Sequence, residues 1–274
     1  MRIQPSYSQG FARSVGESIH PHLWHRLQAA YVPAFGQTGI IVHDLLHRNN
    51  LVDAGSTSAN TWINTPFGSA VNFDSSAKEF SKEPATFNLT GQMTVYLLCR
   101  IGNFSQSTAA LIGHGSNTTT GNRFYVAYNN GFGGDQIRFI WGGANINTTT
   151  TFGNVAFHHI VGVRSGVTGN WDVTLYVDTV VEASVVGSAT NPGAAGASNF
   201  YINELPSGAG NSAMGDFVVC YLWDRAISIN EIRQLYVNVF APFEQSRRLG
   251  FVAAAPGGTD GAAMYHHLQN LGVY

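Results

Sequence analysis

Charge is scarce in this sequence: only 11% of its 274 residues are Asp, Glu, Lys or Arg, and the formal net charge is −2. A chain with no excess of cations has no electrostatic footprint for a phosphate backbone, which excludes nucleic acid as a partner. Cysteine is nearly absent. Cys99 and Cys220 stand singly inside apolar runs, so neither a disulfide framework nor a zinc site is indicated, and both are expected to be buried free thiols. No run approaches the roughly 18 apolar residues that a membrane-spanning helix needs, so membrane insertion is not expected. The opening Met1-Arg2-Ile3-Gln4-Pro5-Ser6 lacks the apolar stretch of a signal peptide, and nothing in it directs the chain to export. On that expectation, the Asn-x-Ser/Thr sequons at Asn88, Asn103, Asn117 and Asn147 are chance matches in an Asn/Thr-rich chain.

What is plentiful is glycine, with 31 residues, and phenylalanine, with 17. Together they describe a turn-rich, aromatic-cored β protein, long enough for one large domain. Strands are expected over residues 93–101, where Val95, Leu97 and Cys99 alternate with Thr94, Tyr96, Leu98 and Arg100, and over 110–114, 123–129 and 136–141. Gly/Asn/Thr-rich loops separate the last three, and residues 145–154 read as a Thr-rich loop or exposed edge. Further strands are expected at 157–163, 171–178 and 199–205. The second face of 93–101 is not very polar, which points to a sheet surface covered by loops or by a partner.

Residues 215–238 organise the rest. Their first half is apolar, β-branched and aromatic, as a buried strand requires. The period then changes: Ser228 is placed to cap a short helix, Glu231 stands three residues on as its capping-box partner, and Ile232, Leu235 and Tyr236 follow at helical spacing. Gly215, Phe217, Leu222, Trp223, Asp224, Arg225, Ala226, Ile227, Ser228, Glu231 and Ile232 resemble the closing motif of the laminin-G-like, concanavalin A-like jelly-roll superfamily, where that motif is architectural. Trp62 with residues 67–74, His158 and His159 after Phe157, and Leu175, Tyr176, Val177 and Asp178 carry the same resemblance. It implies an all-β fold: a two-sheet antiparallel jelly-roll sandwich with one short C-terminal helix and extended terminal arms. The expected organisation is an N-terminal arm over 1–22, with a short helix around residues 11–18, the jelly roll over 23–243 and an extended tail over 244–274.

The superfamily includes glycoside hydrolases that set two carboxylates on one strand face. Here the seven glutamates are scattered at Glu17, Glu79, Glu83, Glu182, Glu204, Glu231 and Glu244, so no enzyme activity is expected. His158 and His159 are adjacent on a strand and point to opposite faces, which rules out joint chelation. One is expected to be buried and hydrogen-bonded, the other exposed. Relatives that bind calcium at the sandwich rim use clustered oxygen ligands. Asn129, Asn130, Asp135, Asn145 and Asn147 supply some oxygens but form no acidic cluster, so no cofactor is assigned and calcium stands as the one candidate ion. Tyr128, Phe132, Asp135, Trp141 and Asn145, around the central loops, are the candidate ligand-binding residues, because a sugar ring stacks on an aromatic beside amide and carboxylate partners. Residues 10–14, Glu17, Ser18, Leu23 and Trp24, together with residues 239–243, Arg247 and Arg248, resemble laminin-G-like proteins of tailed-phage and environmental viral genomes. That resemblance implies a virion protein assembled in the host cytoplasm. It would be homo-oligomeric, held by capsid or tail proteins, and would bind surface glycans. The alternative is a free carbohydrate-binding module of a microbe.

Overall fold

The computed structural model describes residues 11–35, 37–38, 41–53, 61–73, 80–82, 87, 91–102, 109–115, 123–129, 136–141, 144–152, 156–188, 199–203 and 214–245. In chain order the strands are β1 (Leu27–Tyr31), β2 (Gln37–Thr38), β3 (Ile41–Val42), β4 (Leu51–Asp53), β5 (Thr61–Thr65), β6 (Gly68–Asn72), β7 (Phe80–Lys82), β8 (Met93–Ile101), β9 (Ala109–Gly115), β10 (Arg123–Asn129), β11 (Gln136–Trp141), β12 (Ala144–Asn147), β13 (Phe157–Val167), β14 (Asn170–Val177), β15 (Val180–Ser188), β16 (Phe200–Ile202) and β17 (Met214–Trp223). The helices are α1 (Pro21–Trp24) and α2 (Ile229–Val237), followed by a 3-10 turn at Ala241–Phe243. None is long and apolar enough to cross a membrane.

Every strand pairing is antiparallel, and the strands form two sheets. The eight-stranded sheet runs β15-β14-β13-β8-β17-β6-β5 with β1 beside β17, and the nine-stranded sheet runs β12-β11-β10-β9-β16-β7-β4-β3-β2. Sequence-distant strands therefore lie side by side at the centre, as β8 and β17 do. Alternation explains the packing. Val95, Leu97 and Cys99 of β8 join Phe139, Trp141, Phe200 and Leu222 in the core between the sheets, and each large side chain so buried contributes ~2–3 kcal/mol. Space between the sheets is tight at Gly162 of β13, where a Cβ would fall 2.7 Å from the Phe139 ring.

The second face of β8 is covered by the chain itself. Tyr96, Leu98, Val161, Tyr221 and Trp223 form a second core with Leu23, Ile232, Leu235, Phe240 and Phe243, from α1, α2 and the turn that follows. A bulge in β17 between Phe217 and Val219 lets Val218 and Val219 both join this outer core while Phe217 and Cys220 face the inner one. The polar tips of the outer aromatics satisfy backbone carbonyls of the covering segments: Trp223 Nε1 donates to Leu23 O at 2.7 Å, Tyr221 Oη to Val239 O at 2.9 Å, and Trp24 Nε1 to Pro242 O. Helix α2 starts as the sequence predicts, with a capping box between Ser228 and Glu231.

Several expectations need adjustment. Residues 11–18 form a turn, not a helix; their path is set by pairing with the chain's other end, where Ala12 N donates to Phe243 O at 2.8 Å and Ser18 bridges Gln245. Strand β15 was not anticipated, and residues 144–147 make an edge strand. Residues 1–10 of the expected arm and 246–274 of the tail lie outside the described residues. Cys99 and Cys220 are buried and free.

His114 of β9 is buried among Phe87, Phe124 and Phe200, and burial lowers its pKa from 6.5 to about 4. Between those values the unfolded chain holds a proton that the folded chain refuses, so stability declines as pH falls. The expected loss reaches up to about 3 kcal/mol at pH 4. Urea titrations at pH 7, 5.5 and 4 should show a shallower decline for His114→Phe than for the parent protein; parallel declines would mean other groups carry it.

Candidate functional site

The outer face of the eight-stranded sheet is sealed by the chain itself, and exposed polar side chains gather on the far side of the nine-stranded one. Its composition follows from alternation along β10, β11 and β12. Phe124, Val126, Tyr128, Ile137, Phe139, Trp141, Ala144 and Ile146 point into the core. Their neighbours point to the opposite face, where Tyr125, Ala127 and Ile140 make a small buried apolar cluster of their own. Beside it lies a polar strip: Gln136 and Arg138 half-buried on β11, Asn145 and Asn147 exposed on β12. Arg138 pairs directly with Asn147 and with Ala127, and Ile140 with Asn145 and Tyr125, so these side chains stand within about 5–8 Å of one another. Arg138 Nε donates to Asn145 Oδ1 at 2.6 Å. Tyr201 of β16, whose hydroxyl accepts from Asn199 Nδ2 at 2.8 Å, is nearly buried.

The predicted ligand-binding residues separate in space. Asn145 lies on this strip. Tyr128 and Trp141 face the other way: Trp141 is 1% exposed and Tyr128 6%, so neither offers a ring to a sugar, a correction that follows from strand alternation. Trp141 stacks on Phe124 at 5.3 Å, and the Arg164 guanidinium lies 4.3 Å from its ring and 4.0 Å from that of Trp171. Arg164 is fully buried and donates to Gly91 O; burial lowers its pKa to about 9. Phe132 and Asp135 lie outside the described residues, as does Asn130. Sequence reasoning missed Arg138 and named Asn147 only as an oxygen donor for calcium, although period-two alternation against Ile137, Phe139 and Ile146 marks both.

Four of the described acidic groups are engaged elsewhere. Asp44 is fully buried and accepts from the backbone amides of Ala30, Leu46, Arg48 and Asn49 at 2.9–3.2 Å. Asp216 pairs with Arg100 at 2.6 Å and accepts from Asn72 at 2.7 Å. Glu231 pairs with Arg225, whose other donors reach His22 O and His25 O; these bonds tie the closing motif to α1. Asp178 sits in the β14–β15 turn at φ 50°, with Oδ2 2.9 Å from His158 Nδ1 and Oδ1 accepting from the His159 amide. Burial raises the Asp178 pKa, but the His158 and His159 hydrogen bonds outweigh it and hold the carboxyl below its ordinary value.

The two histidines do point apart, His158 to Phe152 and Asp178, and His159 to Tyr96 and Tyr236. Neither is exposed, since the His158 side chain is 12% accessible and His159 is buried; Asp178 draws the first inward. Among the described residues no group of three or more His, Cys, Asp or Glu is placed to hold a metal ion.

Residues 74–233 match the Concanavalin A-like lectin/glucanases superfamily. No curated protein sequence matches the chain. Among solved structures, Trypanosoma rangeli sialidase, in complex with a difluorinated sialic acid analogue, aligns at 17% identity and a TM-score of 0.59 over 80% of this chain and 33% of its own. The chain thus spans about a third of that enzyme. Domain 4 of AbnA, a GH43 extracellular arabinanase from Geobacillus stearothermophilus solved with arabinotriose, aligns at 11% identity and 0.59 over 77% of this chain and 98% of the domain. The binding domain of Paraclostridial Mosquitocidal Protein 1 aligns at 14% and 0.55 over 78% and 52%. At these identities the likeness is one of fold.

The geometry separates structural from surface residues. Trp141→Ala should cost ~3–5 kcal/mol and depress the melting temperature by well over 5 °C in calorimetry, whereas Asn145→Ala and Asn147→Ala should leave it within about 2 °C.

Proposed function

Since the chain belongs to the Concanavalin A-like lectin/glucanases superfamily, we propose that it recognises glycans without transforming them, as the outward-facing module of a phage-like virion. The observation that carries the recognition half is the strip of Gln136, Arg138, Asn145 and Asn147 on neighbouring strands β11 and β12. Sugars are bound by amide and guanidinium groups that match their hydroxyls. Glycoside hydrolysis needs two carboxylates flanking one bond, and Asp44, Asp178, Asp216 and Glu231 are each tied into hydrogen bonds that hold the fold together.

The attachment half rests on the chain's ends. Phe11 and Gln245, the first and last described residues, are hydrogen-bonded to each other at 2.9 Å, and both belong to the layer covering the eight-stranded sheet, behind the polar strip. Residues 1–10 and 246–274 are the segments assigned to grip the particle, whether at head or tail. The second reading, a free microbial carbohydrate-binding module, is favoured by the arabinanase domain matched over 98% of its length and solved with a sugar.

Two measurements test the proposal. On a glycan array the protein should bind a defined set of sugars, and Asn145→Ala with Asn147→Ala should weaken that binding at least fivefold with melting unchanged; an array with no signal would end the recognition reading. Deleting residues 246–274 should abolish incorporation into particles while the sandwich still melts cooperatively near the parent temperature. Unimpaired incorporation would favour the free module.

A further inference from the structure

Arg138 differs from the other arginines that hold the fold together. Arg26, Arg100 and Arg225 are paired with Asp224, Asp216 and Glu231, and Arg164 is buried between two indoles with a carbonyl acceptor. Arg138 stands half-buried on the outer face of the nine-stranded sheet, beside the exposed Asn145 and Asn147. Its one hydrogen bond runs from Nε to Asn145 Oδ1, at 2.6 Å. No described carboxylate pairs with it, and no described residue accepts from its two terminal nitrogens.

That hydrogen bond has a chemical consequence. Asn145 uses its acceptor on Nε, so the side-chain groups that the pair still turns outward are donors: the terminal Nη1 and Nη2 of Arg138 and the Nδ2 amide of Asn145. The guanidinium is planar and is held by Asn145 along one edge, so its end-on edge is oriented in advance. Two parallel N–H donors in a plane match the two oxygens of a carboxylate, an acceptor-only group, and the bonds formed are charge-assisted. A neutral sugar hydroxyl uses such a fork poorly, because its oxygen accepts from one donor well and its own proton finds no acceptor there. Asn147, directly across from Arg138 on β12, adds an exposed amide able to meet a ring hydroxyl in either sense.

We propose that this strip selects glycans bearing a carboxylated sugar, with the acid group seated on Arg138 and the adjoining ring hydroxyls on Asn145 and Asn147. The inference rests on the glycan-recognition reading given above and narrows it to acidic ligands. Arg138 is here a specificity-determining residue. Lysine in its place would keep the charge but lose the planar fork, and glutamine would keep hydrogen-bonding capacity but lose the charge.

The full-length chain can be titrated calorimetrically with trigalacturonate, with its methyl ester, and with a neutral galactan oligosaccharide of the same length, each at low and high salt. Trigalacturonate should bind at least tenfold more tightly than the methyl ester, with an advantage that shrinks as salt rises. Arg138→Gln should erase the difference, Arg138→Lys should leave a small part of it, and both should melt within about 2 °C of the parent. A sulfated oligosaccharide serves as a further arm, and should bind more weakly than the carboxylated one because sulfate does not present the planar pair. Equal affinity for acid and ester, or an acid preference that survives Arg138→Gln, overturns the proposal while leaving glycan recognition intact. Absence of binding to every oligosaccharide here and on the array overturns both.

Discussion

Burial of β8 and β17 on both faces is the constraint on which the rest of this molecule depends. An antiparallel sandwich needs one apolar face per sheet, yet Tyr96, Leu98, Tyr221 and Trp223 give the eight-stranded sheet two. That second face has to be covered, and the chain covers it with α1, α2 and the turn at Ala241–Phe243. The hydroxyl and indole donors of the buried aromatics then satisfy the carbonyls at the ends of those covering pieces. One side of the sandwich is closed in this way, and the two ends of the described chain are brought together on it.

Few charges are available, and those near the interior are used to fasten loops. Asp44 gathers three backbone amides of a tight loop and fastens it to that of Ala30 on β1. Arg225 bridges α1 to the start of α2 through two carbonyls and Glu231. Asp178 holds a left-handed turn against β13. Each carboxylate lost from such a place would strand buried donors, at a cost of ~1–3 kcal/mol per donor. The polar strip on the nine-stranded sheet differs in kind: Arg138, Asn145 and Asn147 fasten no loop, and one hydrogen bond between two of them leaves donors facing outward.

Much of the architecture was legible from local pattern. The strand-to-helix change of period at residues 215–238 predicted both β17 and the Ser228–Glu231 capping box, because a buried strand and a capped amphipathic helix each leave a short-range signature. Strand β15 was not legible, since two bulges against β14 break its alternation and its valines are partly exposed. The turn at residues 11–18 was misread as a helix because it is held by a partner more than 200 residues away.

The candidate site shows where the division lies. Sequence by itself determined the fold class, the strands β10 and β11, and the double-sided apolar character of β8, all of which follow from short-range pattern. Only the tertiary structure decided which of two alternating faces is inside. Trp141 and Tyr128 were chosen as ligand contacts for being aromatic near a loop, yet they point inward because the eight-stranded sheet lies on that side. Which way a strand's face points is a property of what packs against it, and for β11 and β12 that is β13 to β15, which arrive later in the chain and from the other sheet.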